Sequence, residues 1–447
     1  MNLSLEQQLT LDEFIKGNNI FLTGPGGSGK TELIKRIVKI CEEKNKIFQV
    51  CALTGCAAIL LNCNAKTIHS WAGIGLAHGT IDEVVCKVTK NKYKIPIWQN
   101  IEILIIDEVS MMSSKLFDIL DLIAKKIRNN IKPFGGIQVI FAGDFYQLPP
   151  IGNDIISSEF CFESKIWEKT FNIIIELTKI YRQTDQKYTD ILNELRIGKL
   201  NISSIEILNE NINKSIPINT EFKPTILMPR RKEVDLINEQ EYSKLNDTEE
   251  HIYTLSRLDP NDPILVNKYM QNNMKNNMKN KIFNNQIEIE YTFLENNIIA
   301  DKIISLKKGT QVMCIVNIDL NCQSPLVNGT QGIVVDFNKN GLPIIQLNNG
   351  SKRLIDYHIW LSEINLNIAI KQIPLIYAWA LTIHKCQGAT LDVAQIDVGS
   401  TIFECGQTYV ALSRVKNLEG LYLTSFNPEK IKINKKVQEF YKNINNY

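Results

Sequence analysis

No apolar run in this chain of 447 residues approaches the roughly 20 residues needed to cross a bilayer, so no membrane-spanning helix is expected. Paired cysteines are missing too. The ten cysteines are scattered singly, none in a C-x-x-C pair, which argues against a disulfide framework or a zinc site and for free thiols in a reducing compartment. Five histidines are too few and too dispersed for a metal cluster. Neither sign of charge is in excess: 50 Lys and Arg against 48 Asp and Glu leave +2, so any nucleic-acid binding has to come from a local basic surface. The opening stretch, MNLSLEQQLTLDEF, has neither the basic start and apolar core of a signal peptide nor the Arg-rich character of a transit peptide. An intracellular protein of about two to four domains is expected.

What is present is a phosphate site. Residues 23–31 read TGPGGSGKT, in which Gly24, Gly29, Lys30 and Thr31 follow the phosphate-binding loop pattern. The glycines, Gly24, Gly26, Gly27 and Gly29, with Ser28 among them, let backbone N–H groups crowd an anion at φ/ψ values a side chain forbids. A strand-like run over 19–23 precedes the loop and a helical apolar pattern over 32–41 follows it, as the mechanism requires. Lys30 is expected at the β- and γ-phosphates and Thr31 at Mg²⁺. Ile103-Leu-Ile-Ile-Asp107-Glu108 is an apolar strand ending in two carboxylates. Asp107 can hold Mg²⁺, and Glu108, pointing differently, can take a proton from the attacking water. Gln147, after the run IQVIFAG, can hydrogen-bond a γ-phosphate.

Apolar runs over 19–23, 47–53, 101–106 and 137–142 alternate with helical stretches, which predicts an α/β first domain over 1–175 built on a parallel sheet. Ligands of such sheets bind at the carboxyl ends of strands. A second αβ region is expected over 176–302 and 368–447, with IPLIYAWALTIH, DVAQIDVG and GLYLTSF as strand-like runs. Within it, the Asn/Lys-rich stretch 268–297 reads as a solvated loop. Short strands with turn residues predict a small β-barrel inserted over 303–367.

GPGGSGKT, IDEVSM, PFGGIQVIFAGDFYQLPP, YRQ, TIHKCQGATL and YVALSR occur in this order. Together they resemble the PIF family (petite integration frequency) of superfamily-one helicases, relatives of the RecD helicases, and the resemblance runs from Leu3 to about Phe426. It implies two RecA-like domains in tandem, with ATP and Mg²⁺ in the cleft between them. It also implies 5′-to-3′ movement on single-stranded DNA with unwinding of duplex, in replication, repair, recombination or telomere-type maintenance. Gln7 matches the adenine-reading glutamine, Gln147 the γ-phosphate sensor, and Arg182 and Arg414 the arginines that reach across the cleft. Gly388 is grouped with the nucleotide residues. Thr54, Gly55, Thr67, His69 and Trp71 in the first domain, and Thr382, His384 and Lys385 in the second, match DNA-facing motifs. Trp71 suits either a base platform or the core, and His69 and His384 suit either phosphate contact or internal hydrogen bonds. Cys386 stands where the family commonly has serine, and Cys56 lies inside the first DNA-facing motif; neither removes a catalytic group.

Single-stranded and forked DNA are the expected partners, with G-quadruplex or an RNA–DNA hybrid as further candidates, and the working form is expected to be a monomer. A translocase that strips proteins from DNA without separating strands is the alternative. Residues 70–95 are the expected wedge by position. Family members serve in nuclei, mitochondria and large DNA viruses.

Overall fold

The computed structural model describes residues 3–61, 63–75, 77, 79–152, 155–212, 214–215, 223–246, 249–258, 284–318, 326, 328–347, 349–362 and 368–444. Contacts divide the chain into two units. One comprises Met1–Thr220, Pro224–Asp235 and Ala380–Tyr447; the other comprises Glu221–Lys223 and Leu236–Trp379.

The first unit carries the alternation read from the sequence. Strands β1 (Ile20–Thr23), β2 (Phe48–Ala52), β3 (Lys66–Thr67), β4 (Ile103–Asp107), β5 (Gln138–Ala142) and β6 (Ile173–Glu176) form a parallel sheet in the order β3-β2-β4-β5-β1-β6. The central strands are apolar at successive positions because both faces are covered. Ile20, Leu22, Val50, Ile105 and Ile140 share one core cluster with Leu33, Ile34 and Ile37 of the helix Lys30–Glu43. The intervening Phe21, Cys51, Leu104, Ile106 and Phe141 share the other with Leu116, Phe117 and Leu120 of the helix Ser114–Arg128. Each such fully buried side chain contributes about 1.5–3 kcal/mol, so the central strand ends are held rigidly.

A second parallel sheet runs Ala380–Thr382, β7 (Thr225–Met228), Ala394–Val398, Leu421–Phe426. The α/β class with two parallel sheets is therefore as expected. No helix among the described residues is long and apolar enough to cross a membrane, and Cys41, Cys51, Cys63, Cys86, Cys161, Cys314, Cys386 and Cys405 are free thiols.

The second unit is antiparallel, and its extent differs from the expected 303–367. Ile303–Leu306 pairs with His251–Thr254, and His358–Leu361 pairs with Ala369–Gln372, so flanking segments are stitched to the insertion on both sides. A five-stranded sheet holds Lys352–Leu354, Pro343–Leu347, Gln331–Phe337, Gln311–Cys314 and Leu375–Tyr377. The run IPLIYAWALTIH thus splits: Leu375–Tyr377 pairs with Gln311–Cys314, whereas Ala380–Thr382 pairs with β7. Both pieces are buried strands, so hydrophobicity alone does not mark the boundary. Sheets of two, five and three strands make up this unit, and the pairings of the described residues do not close a barrel.

Of the Asn/Lys-rich stretch 268–297, residues 268–283 lie outside the described residues. Asn284–Asn297 is a helix rather than the expected loop. Ile287, Tyr291 and Leu294 recur at helical spacing and pack with Ile368 and Ile370, which outweighs the polar composition.

Candidate functional site

The phosphate-type loop joins β1 to the helix Lys30–Glu43. Gly24 has φ 136°, and a Cβ there would meet the Leu177 carbonyl at 2.3 Å; Gly27 has φ 83°, and a Cβ there would lie 2.5 Å from Arg182 Cβ. Both positions accept only glycine. Gly29 caps the helix in the left-handed region with no side-chain partner, leaving first-turn N–H groups for another acceptor. Lys30 Nζ donates to the Gly24 and Pro25 carbonyls at 2.7 and 3.0 Å. Burial lowers its pKa, against the opposing pull of Asp144, Glu108 and Asp107.

The end of β4 supplies the acids. Thr31 Oγ1 donates to Asp107 Oδ2 at 3.3 Å, and the Glu108 N–H donates to Asp107 Oδ1 at 2.8 Å. Burial first, and then the charge of Glu108, pushes the Asp107 carboxyl up to about 7. A hydroxyl beside a desolvated carboxylate is a hard-oxygen pair that fits Mg²⁺. Glu108 adopts φ 56° and ψ 40°, unusual for a residue with a side chain. That turn gives the two neighbouring carboxylates different partners.

These groups open on a cleft of about 520 Å³ that Gln147, Gly388, Arg182 and Arg414 also line. Arg414 is buried; its Nε donates to the Val410 carbonyl at 2.9 Å and its Nη2 to Ser413 Oγ at 2.8 Å. Arg182 Nη1 donates to the Ser413 carbonyl at 3.1 Å and Nη2 to the Gly388 carbonyl at 3.5 Å. Burial lowers the pKa of both; Arg414 lowers that of Arg182 further, while Glu108 opposes the shift in Arg414. Two desolvated guanidiniums this near each other favour an anion in the cleft. Gln147 Oε1 and Ser28 Oγ are buried with no hydrogen-bond partner among the described residues, and both residues line the same cleft. The donor set, the two orphaned oxygens and the glycine cradle fit a nucleoside triphosphate with its cation. Gln7 is buried at the foot of α1 (Leu5–Ile15), its Oε1 accepting from the Ser4 N–H at 3.1 Å, and its Nε2 would stand 3.1 Å from a Cβ on Gly29.

Several site residues had no role assigned from the sequence. The Gly26 N–H donates to the Tyr409 hydroxyl at 2.8 Å, and that hydroxyl donates to Asp144 Oδ2 at 3.4 Å. Asp144 also takes Arg196 through Nε and Nη2, each at 3.0 Å, and the Tyr441 hydroxyl at 3.3 Å. Tyr441 lies 2.6 Å from Thr23 Oγ1 and accepts from the Phe145 N–H at 3.2 Å. Gln387 Nε2 donates to Glu108 Oε2 at 3.1 Å. Asp144, Tyr409 and Gln387 lie inside quoted motifs, which is the signal the sequence offered for them; their partners are set by tertiary contact.

The DNA-facing candidates divide. Thr54 and His69 line a second cavity of about 650 Å³ together with Met111, Ser113 and Lys115. Thr54 Oγ1 accepts from the Ala57 N–H at 3.2 Å at the start of the helix Gly55–Leu61, and Thr67 Oγ1 caps the helix Ile68–Ala72. Burial lowers the pKa of His69 and of His384. Thr382 ends the strand Ala380–Thr382, His384 and Lys385 follow it, and the Thr382 hydroxyl accepts from the Lys385 N–H at 3.2 Å. Trp71 is a correction. It is 3 % exposed, with its ring centroid 4.6 Å from that of Trp98, and belongs to the core rather than to a base platform. Its apolar area is larger than the helix Ile68–Ala72 can leave in solvent without cost.

The model of the PIF1-like helicase family matches residues 2–205, and that of the DNA helicase Pif1 2B domain matches residues 292–337. The chain is 35 % identical over 446 residues to the ATP-dependent DNA helicase PIF1 of Xenopus laevis, covering 99 % of this chain and 64 % of that protein. It is 30 % identical to the ATP-dependent DNA helicase RRM3 of Saccharomyces cerevisiae, covering 99 % of this chain and 68 % of the relative. The crystal structure of Pif1 helicase from Candida albicans superposes with a TM-score of 0.80 at 32 % identity, covering 99 % of this chain and 100 % of that one.

Proposed function

The chain belongs to the PIF1-like helicase family, and on that premise we propose that it is an ATP-dependent DNA helicase that moves 5′-to-3′ on single-stranded DNA and unwinds duplex. The observation that carries the reading is the single cleft into which the loop at Gly26–Thr31, the Asp107–Glu108 pair and the buried guanidiniums of Arg182 and Arg414 all open.

In this mechanism the loop N–H groups and Lys30 hold the β- and γ-phosphates of ATP, and Gln7 reads the adenine. Thr31 and Asp107 would hold Mg²⁺, which when bound neutralises phosphate charge. Glu108 accepts the proton of the attacking water as the bond from the γ-phosphorus to the ADP oxygen breaks. Gln147 hydrogen-bonds the γ-phosphate and so reports whether it is present. Arg182 and Arg414 stabilise the charge that spreads over the γ-phosphoryl oxygens, an effect worth about 10³–10⁵ in rate. They come from segments beyond β6, so closure of the cleft and chemistry are linked.

Each base pair opened costs about 1.4 kcal/mol on average. Thr54, Gly55, Thr67 and His69 on one half and Thr382, His384 and Lys385 on the other grip phosphates without reading sequence. Strand separation is assigned to residues 70–95, where Val84, Val85 and Val88 anchor the helix Ile81–Thr89 in the core. One chain is the proposed working unit, with forked duplex as the main substrate and G-quadruplex or RNA–DNA hybrid as further ones.

Duplexes carrying a 5′ or a 3′ single-stranded tail, with and without ATP, test the reading. Release of the strand only from the 5′-tailed duplex, only with ATP, and not by Lys30→Ala is expected. ATP consumption with no strand release shows a translocase instead, and release from the 3′ tail reverses the polarity.

A further inference from the structure

Within the turn Thr382-Ile383-His384-Lys385-Cys386-Gln387-Gly388, the DNA-facing roles fall on Thr382, His384 and Lys385, and none falls on Gln387. Its side chain goes elsewhere. Gln387 is buried, and its Nε2 donates to Glu108 Oε2 at 3.1 Å, across 279 positions of sequence and from the strand system of the second parallel sheet to the end of β4. The turn is compact. Besides the Thr382 hydroxyl on the Lys385 N–H, the Thr382 carbonyl accepts from the Cys386 N–H at 3.3 Å and the His384 carbonyl from the Gln387 N–H at 3.2 Å. A backbone displacement at His384 and Lys385 is therefore passed on to Gln387.

At the other end of the hydrogen bond, the amide engages one carboxylate oxygen and leaves Glu108 Oε1 for a water. Glu108 also stands in the field of Arg414 and Arg182. The neutral Gln387 amide makes a direct hydrogen bond from the turn that carries the DNA-facing residues to Glu108. A general base must lie within hydrogen-bond reach of the proton it takes, and a misplacement of about 1 Å costs about a hundredfold in rate.

We propose that Gln387 is a positioning residue: contact of DNA phosphates with the His384–Lys385 turn sets the orientation of Glu108 through the Gln387 amide, so that hydrolysis accelerates when a strand is gripped. This deepens the helicase reading and rests on it.

The test is steady-state ATPase of the full chain with and without a thymidine-only single strand, for wild type, Gln387→Met and Gln387→Asn. Met keeps the volume and removes the donor; Asn keeps the amide but is one methylene too short to reach Glu108. In both, the ratio of stimulated to unstimulated kcat is expected to fall about tenfold or more, while KM for ATP and Kd for the labelled strand stay within about twofold. A stimulation ratio equal to wild type in either variant that keeps the wild-type melting midpoint overturns the proposal. So does a parallel loss of ATP affinity and melting midpoint at an unchanged ratio, which is the behaviour of a packing residue. If the wild type hydrolyses ATP at the same rate with and without DNA, the helicase reading itself fails, and that result is distinct from a failure of Gln387 alone.

Discussion

Gly26 and Tyr409 are 383 positions apart, yet the backbone N–H of the first donates to the phenol of the second at 2.8 Å. The phenol passes the connection to Asp144, which is fully buried and bound by Arg196 and Tyr441. A loop whose amides serve phosphate is thus braced from the segment that also carries Arg414. Tyr409→Phe keeps the ring and removes the acceptor. A buried donor left unsatisfied costs about 1–3 kcal/mol, so a lower melting midpoint and a several-fold higher KM for ATP are expected. Thermal unfolding and nucleotide titration check this, and wild-type values in both would show that the contact braces nothing.

Asp107 sets a pH dependence. Burial and Glu108 raise its carboxyl to about 7, so the folded chain keeps that proton where the unfolded chain, at its ordinary value near 3.8, has lost it. The native state then binds more protons, and this contribution to stability is complete below about pH 4 and is lost as pH rises through about 7. Asp107→Asn has no such proton to lose. In metal-free buffer its melting midpoint is expected to rise relative to wild type between about pH 5 and about pH 8. Adding Mg²⁺ with ATP restores the wild type and leaves the variant behind. A midpoint difference that is flat with pH contradicts the assignment.

Trp71 separates packing from nucleic-acid contact. Trp71→Ala removes a buried indole from the cluster with Trp98, at a cost of about 3–5 kcal/mol. Affinity for single-stranded DNA, measured well below the lowered melting midpoint, is expected to match wild type. A selective loss of DNA affinity with normal stability would return Trp71 to the strand-binding surface.

That the phosphate-type loop and the Asp107–Glu108 pair belong to one candidate site was legible because these parts are linear. Gly24 to Thr31 and Ile103 to Glu108 are strand-plus-loop segments whose chemistry depends on neighbours in sequence. Fold class was legible for the same reason: the apolar runs at 19–23, 47–53, 101–106 and 137–142 fall on the strands Ile20–Thr23, Phe48–Ala52, Ile103–Asp107 and Gln138–Ala142. The insertion boundaries were not, because Leu375–Tyr377 and Ala380–Thr382 are equally apolar and join different sheets. Trp71 was ambiguous since helical spacing does not tell a buried aromatic from an exposed one. Tyr409, Gln387 and Arg196 act through partners 52 to 383 positions away, a distance over which spacing carries no information.

Tyr441 lies in the helix Lys435–Ile444, 418 positions after Thr23, yet its hydroxyl meets Thr23 at the root of the phosphate loop. During synthesis the six-stranded sheet can collapse early, but the floor under that loop stays open until residue 441 has cleared the exit tunnel. A nascent chain is thereby kept from acquiring a finished nucleotide cradle before the segment bearing Arg414 has also been made.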